Sequence, residues 1–182
     1  MDVDAVRKFC TETFLIPFES YATALPDGSC ESYPDPGSAM YKAGFKRWHS
    51  GTRFTPQDGA PWTIGYGSTF DENGKPVVPG EIWSHDRAVQ VKTIVTSKFL
   101  KQLIALSPGL ISEPTNRVAA ILSWVYNCGI GSYRISTFKK RIDASDWYEA
   151  ADECLKWDKA KGVKLKGLTR RRLLESRYIR SA

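Results

Sequence analysis

Between Val118 and Val125 the chain carries Val118, Ala119, Ile121, Leu122, Trp124 and Val125, apolar nearly all the way round a helical turn. A helix without a polar face has to be wrapped by other elements, so this segment predicts the buried centre of a helical lobe. Glu113-Pro114 opens it, since proline suits the first turn of a helix. Upstream, Ser84 reads as the N-cap of a long helix with Ala88, Val91, Val95, Phe99 and Leu103 on one face, stopped by Pro108-Gly109. Downstream, helices are expected from Ser136, from Ser145-Asp146 to Trp157, and from Thr169 to Ile179.

The first third obeys different rules. From Asp4 to Ser20 a helical rhythm through Val6, Phe9 or Cys10, Thr13, Phe14 and Phe18 is broken by Pro17. Residues 22–58 are rich in Gly, Pro, Ser and Asp and read as turns and loops. Trp62 to Tyr66 and Pro76 to Val78 read as short strands around the turn Asp71-Glu72-Asn73-Gly74, a hairpin signal. The fold class expected is therefore α+β, mainly α. A small N-terminal lobe with a β-hairpin precedes a larger helical lobe, and a ligand cleft is expected between them.

With 182 residues, 42% hydrophobic and 25% charged, the chain has the makings of one packed domain rather than a disordered one. No apolar run reaches the roughly 18 residues of a membrane span, so no stable membrane insertion is expected. Met1-Asp2-Val3-Asp4 does not start like a signal peptide. Cys10, Cys30, Cys128 and Cys154 show no C-x-x-C spacing and lie far from His49 and His85, so no metal site is expected. Cys128 and Cys154 read as small core residues. Spacing leaves a Cys10–Cys30 pair open, although reduced thiols fit a chain without an export signal.

The net charge of +6 is uneven: residues 1–116 carry 11 basic and 13 acidic side chains, residues 117–182 carry 15 and 7. An anionic partner is implied for the second part. Nucleic acid is a poor choice. Arg170-Arg171-Arg172 with Lys156, Lys159, Lys161, Lys164 and Lys166 come without any nucleic-acid-binding motif and read as a solvated basic face. Gly65-Tyr66-Gly67-Ser68-Thr69 lacks the lysine and frame of a phosphate loop, which argues against nucleotide binding.

Two carboxylates stand at structural breaks. Glu19 ends the apolar run Phe14-Leu15-Ile16-Pro17-Phe18, where partial desolvation would favour a protonated general acid. Asp35 sits in the rigid turn Tyr33-Pro34-Asp35-Pro36-Gly37. One desolvated and one solvated carboxylate are what glycosidic bond cleavage requires.

Taken in order, Phe18-Glu19-Ser20, Tyr33 to Gly37, and Pro61-Trp62-Thr63-Ile64-Gly65-Tyr66-Gly67-Ser68-Thr69 resemble the N-terminal signature of phage-type lysozymes, the endolysins of glycoside hydrolase family 24. Ala119 to Gly129, Ser136-Thr137-Phe138, Trp147 to Trp157, and Gly167-Leu168-Thr169-Arg170-Arg171-Arg172 with Glu175 extend the likeness over nearly the whole chain. The resemblance implies a single lysozyme-like domain over 1–182, with a catalytic lobe at about 12–83, a bridging helix at about 84–107 and a helical lobe at 108–182. It implies a muramidase that cuts the β-1,4 bond between N-acetylmuramic acid and N-acetylglucosamine by inverting single displacement, without cofactor or metal. Glu19 matches the family's acid, Asp35 its second carboxylate and Thr63 its water-binding threonine. Thr69, Tyr126 and Thr137 match saccharide-groove positions. The partner implied is peptidoglycan, the oligomeric state a monomer, and the location the host cytoplasm until a holin releases the enzyme for host cell lysis.

The chain also departs from the family pattern. Ser20 stands where glycine is usual, and Ser68 where histidine is usual, which removes a structural ion pair. An extra segment, roughly 39–58, carries Tyr41, Phe45, Arg47, Trp48, His49 and Arg53 and reads as either a cleft wall or a passive loop. Because these insertions alter the spacing, Glu31 is the reserve acid and Asp58 the reserve second carboxylate. A lytic transglycosylase on a related fold, a bacterial effector with the same activity, and, distantly, a nucleic-acid-binding module are the alternatives.

Overall fold

In the computed structural model every residue is described except Ser20, Ser50, Lys161 and Ala182. Expectations touching them (the Glu19-Ser20 departure, one position of 39–58, one lysine of the basic run) lie outside the described residues. The chain forms two compact units, Met1–Phe18 with Val95–Ala182, and Glu19–Ile94.

The first unit is helical. It begins with α1 (Val3–Cys10), whose N-terminus is capped by the Asp2 carboxylate accepting from the amides of Asp4 and Ala5. The helix widens into a π turn at Thr11–Leu15 and tightens into a 3-10 turn at Ile16–Phe18, around the Pro17 that cannot donate to the ladder. The C-terminal turns of α3 (His85–Leu106) follow, then a 3-10 turn at Pro108–Ser112 and α4 (Thr115–Cys128). The unit closes with α5 (Ile130–Ile135), α6 (Thr137–Asp143), α7 (Trp147–Leu155) and α8 (Lys166–Arg180).

As its all-round apolar pattern predicts, α4 is the core: Arg117 through Val125 are all buried. Trp124 packs edge-on to Tyr133 and Trp157 and tilted against Phe138, at 6.2, 4.8 and 4.8 Å between ring centres. The helices expected from Ser136 and from Ser145-Asp146 form, with Ser136 accepting from Lys139 N and Asp146 from Glu149 N. Two elements were not legible. α5 is six residues with only Tyr133 buried, too short to show a period. The hairpin of β5 (Lys159–Ala160) and β6 (Val163–Lys164) is exposed on both strands and so has no alternation to read.

The second unit holds β1 (Cys30–Glu31), β2 (Tyr33–Pro34), α2 (Ala39–Lys42), a 3-10 turn at Pro56–Gly59, β3 (Trp62–Thr63), β4 (Ile82–Trp83) and the first turns of α3. β1 pairs antiparallel with β4, and β2 with β3, the latter placing Tyr33 opposite Thr63 and Pro34 opposite Trp62. This corrects the expected hairpin. Its turn forms, with Asp71 N bonded to Lys75 O at 2.9 Å and Val77 N to Thr69 O at 3.0 Å. However, Trp62-Thr63 pairs with β2 rather than with Pro76–Val78, and Ile64 folds back on Ser68 through reciprocal backbone bonds of 2.9 and 3.0 Å. The cause is Gly65, at φ +58, which turns the chain against α3; a Cβ there would lie 2.8 Å from that of Ala88.

The extra segment is held by its own aromatics. Phe45 packs edge-on to Phe54 at 5.2 Å, Trp48 on Trp62 at 6.1 Å, and Arg47 reaches Glu31 at 3.5 Å.

Candidate active site

Glu19 leaves the 3-10 turn after Phe18, and its Oε2 accepts from Lys92 Nζ. The Lys92 side chain is fully buried on α3 and also donates to the backbone carbonyl of Tyr66 at 2.6 Å. The loop comes close to the same carboxylate: Gly67, at φ +79, would carry a Cβ only 3.5 Å from Glu19 Oε2. The apolar sheath expected around Glu19 is thus replaced on one side by a cation. Lys92 was missed in the sequence because a single lysine on a long helix normally reaches water. Its position four residues after Ala88, on the apolar face, was the available signal.

Asp35 follows β2 directly. Its amide donates to Gly59 O at 2.9 Å, its Oδ1 accepts from Gly37 N at 2.7 Å, and its carbonyl accepts from Ser38 N at 2.9 Å. This Asx turn holds the carboxylate at a set height above the strand pair. Thr63 is buried across from Tyr33. Burial pushes the Tyr33 phenol above its ordinary value, and the charges of Tyr41, Asp35 and Glu19 add to the rise.

Thr69 is half-buried in the same unit. Tyr126 and Thr137 belong to the helical unit: Tyr126 is half-buried on α4 with its ring edge-on to Phe99 at 5.4 Å, and Thr137 is exposed at the start of α6. The reserve residues are engaged elsewhere. Glu31 pairs with Arg47, and Asp58 caps the 3-10 turn by accepting from Thr55 N and Oγ1 at 2.7 and 2.8 Å.

The basic run is also corrected. Arg171 is 3% exposed and Arg172 and Glu175 are fully buried, so two of the three consecutive arginines are interior. Both bond the Glu175 carboxylate, which accepts in addition from Ser123 Oγ at 2.5 Å. Arg170 remains exposed. Among the described residues none of the four cysteines is joined in a disulfide. Among the described residues no group of three His, Cys, Asp or Glu side chains is placed to hold a metal ion. Among those residues no helix is long and apolar enough to cross a membrane.

The family model described as Phage lysozyme matches residues 46–175. It includes Thr63, Thr69, Tyr126 and Thr137 and begins after Glu19 and Asp35. The chain is similar to the SAR-endolysin of Bacteriophage PS119, at 30% identity over 114 residues, or 62% of this chain and 64% of that protein. It therefore spans less than two thirds of that relative. It is 32% identical over 127 residues to the endolysin of Acyrthosiphon pisum secondary endosymbiont phage 1, covering 66% of this chain and 81% of that one. Among solved structures, the endolysin from Escherichia coli O157:H7 phage FAHEc1 aligns with a TM-score of 0.64 at 25% identity, over 98% of this chain and 90% of its own. On a family match that runs through most of its length, from the aromatic segment before β3 to Glu175 in α8, this chain belongs to the phage lysozyme family.

Proposed function

We propose that the chain is a peptidoglycan muramidase, the endolysin that lyses a phage host. It hydrolyses the β-1,4 bond between N-acetylmuramic acid and N-acetylglucosamine by inverting single displacement. Glu19 gives its proton to the departing glycosidic oxygen. Asp35 takes a proton from a water that attacks the anomeric carbon from the opposite face, and Thr63 hydrogen-bonds that water. The observation that carries this reading is the β2–β3 register, which brings Thr63 opposite Tyr33, two residues before Asp35. The loop leaving β3 then runs past Glu19 at Tyr66 and Gly67. Thr69, Tyr126 and Thr137 are proposed as saccharide contacts. The basic surface left on α8 and the β5–β6 hairpin suits an anionic wall polymer, and no nucleic-acid partner is proposed. The enzyme is proposed to act as a monomer.

A turbidity assay on outer-membrane-permeabilised Gram-negative cells tests the assignment. Wild type is expected to clear the suspension, Glu19→Gln and Asp35→Asn to lose about a hundredfold or more, and Glu31→Gln to stay active. Activity in Glu19→Gln with loss in Glu31→Gln would transfer the acid to Glu31. Mass spectrometry of the digest is expected to show reducing ends; 1,6-anhydro ends would make the chain a lytic transglycosylase. The first-formed anomer, read by NMR, is expected to be inverted. Release is proposed to need a holin, and host lysis on expression of this chain without one would overturn that.

A further inference from the structure

Lys92 is the one buried ammonium that the described geometry places directly on the proposed acid. A lysine with no exposed side-chain surface is rare, because an uncompensated buried cation is costly. This one is compensated at two points with different chain origins. Glu19 Oε2 comes from the end of the N-terminal helical segment, and the Tyr66 carbonyl comes from the turn between Ile64 and Ser68. That turn is otherwise pressed onto α3 at Ala88, one helical turn before Lys92, where Gly65 leaves no room for a side chain. Lys92 Nζ therefore ties together the proposed acid, the loop that follows Thr63, and the helix on which both rest.

Resting on the assignment of Glu19 as the acid, we propose that Lys92 is a positioning residue for the reaction. It fixes the Glu19 carboxyl against the Tyr66-Gly67 backbone, so that the proton donor and the Thr63 strand keep one relative geometry. Its ammonium also stands where negative charge appears as Glu19 gives up its proton, a contribution made mainly in the transition state. A group acting this way lowers turnover when removed and leaves binding of the glycan largely intact.

The test measures initial rates on solubilised peptidoglycan for wild type, Lys92→Met, Lys92→Arg and Glu19→Gln, with melting temperatures alongside. Lys92→Met, which keeps the volume and removes the charge, is expected to lower kcat about ten- to a hundredfold with KM within about threefold. Lys92→Arg, which keeps a cation, is expected to retain more turnover than Lys92→Met. If Lys92→Met is unfolded at the assay temperature, Lys92→Gln is read in its place with the same expectation. The proposal is overturned if the uncharged variant keeps wild-type kcat, if its loss lies in KM, or if the arginine variant is no better. An inactive Glu19→Gln beside a fully active Lys92→Met would sink this inference alone. An active Glu19→Gln would sink the assignment of the acid beneath it.

Discussion

Tyr33 and Thr63 face each other across an antiparallel pair only two residues long, and Asp35 follows the first of its strands directly. Asp35 is carried two positions past Tyr33 and locked there by the Gly37 amide, which donates to its Oδ1, and by the Gly59 carbonyl, which accepts from its backbone amide. Thr63→Val preserves shape and strand preference while deleting the hydroxyl. It is expected to lower the rate on purified peptidoglycan about ten- to a hundredfold with the melting temperature nearly unchanged. A variant with full activity would remove Thr63 from the mechanism.

Glu175 is fully buried and accepts from both Arg171 and Arg172, so its removal strands two interior cations. Glu175→Leu is expected to cost about 3–5 kcal/mol, read as a lower urea midpoint. Arg170→Ala, at the exposed neighbouring position, is expected to stay within about 0.5 kcal/mol. Equal effects at the two positions would contradict the buried network.

Two aspartates predict the acid response. The hydrogen bond from Lys164, together with that from Thr169, holds the Asp158 carboxyl below its ordinary value; the backbone and hydroxyl of Thr55 do the same for Asp58. A carboxyl with a lower folded than unfolded value stabilises the fold in its ionised form. The contribution is complete above the unfolded value of about 3.9 and disappears as pH falls through the depressed folded value. Melting temperature is therefore expected to drop as pH goes below about 4, and Asp158→Asn to flatten that drop. A drop of the same size in the variant would assign the acid sensitivity elsewhere.

Thiol chemistry offers a check on the core. Burial pushes the Cys128 thiol up to about 11 and raises Cys154 well above its usual range. A thiol held protonated is a poor nucleophile. At about pH 8, well below these raised values, a disulfide reagent is expected to label Cys128 and Cys154 only slowly in the native protein and all four cysteines promptly in denaturant. Fast native labelling of Cys154 would mean that the α7–α8 contact opens readily.

The helices were legible because their signals are local. Ser84 acts as the cap its side chain predicts, Ser136 and Asp146 cap the helices expected to start there, and α4 is buried as its apolar circumference demands. The strand pairing was not, because strands of two residues have no period to read. Arg171, Arg172 and Lys92 were misread or missed for a related reason. A charged side chain looks solvated in a sequence unless its partner is known, and each partner here comes from a different element or a different turn.

By itself the sequence determined most of the helices, the helical core around Trp124, and the candidate carboxylates Glu19 and Asp35, together with the resemblance to phage-type lysozymes. These follow from short-range preferences and from patterns confined to a few turns of chain. The tertiary structure decided which of those residues meet. It placed Lys92 on Glu19 across 73 residues, Glu175 on Ser123 across 52, and Thr63 opposite Tyr33. Burial forces that outcome, since a polar group withdrawn from water must find a partner within hydrogen-bond distance, wherever in the chain that partner lies.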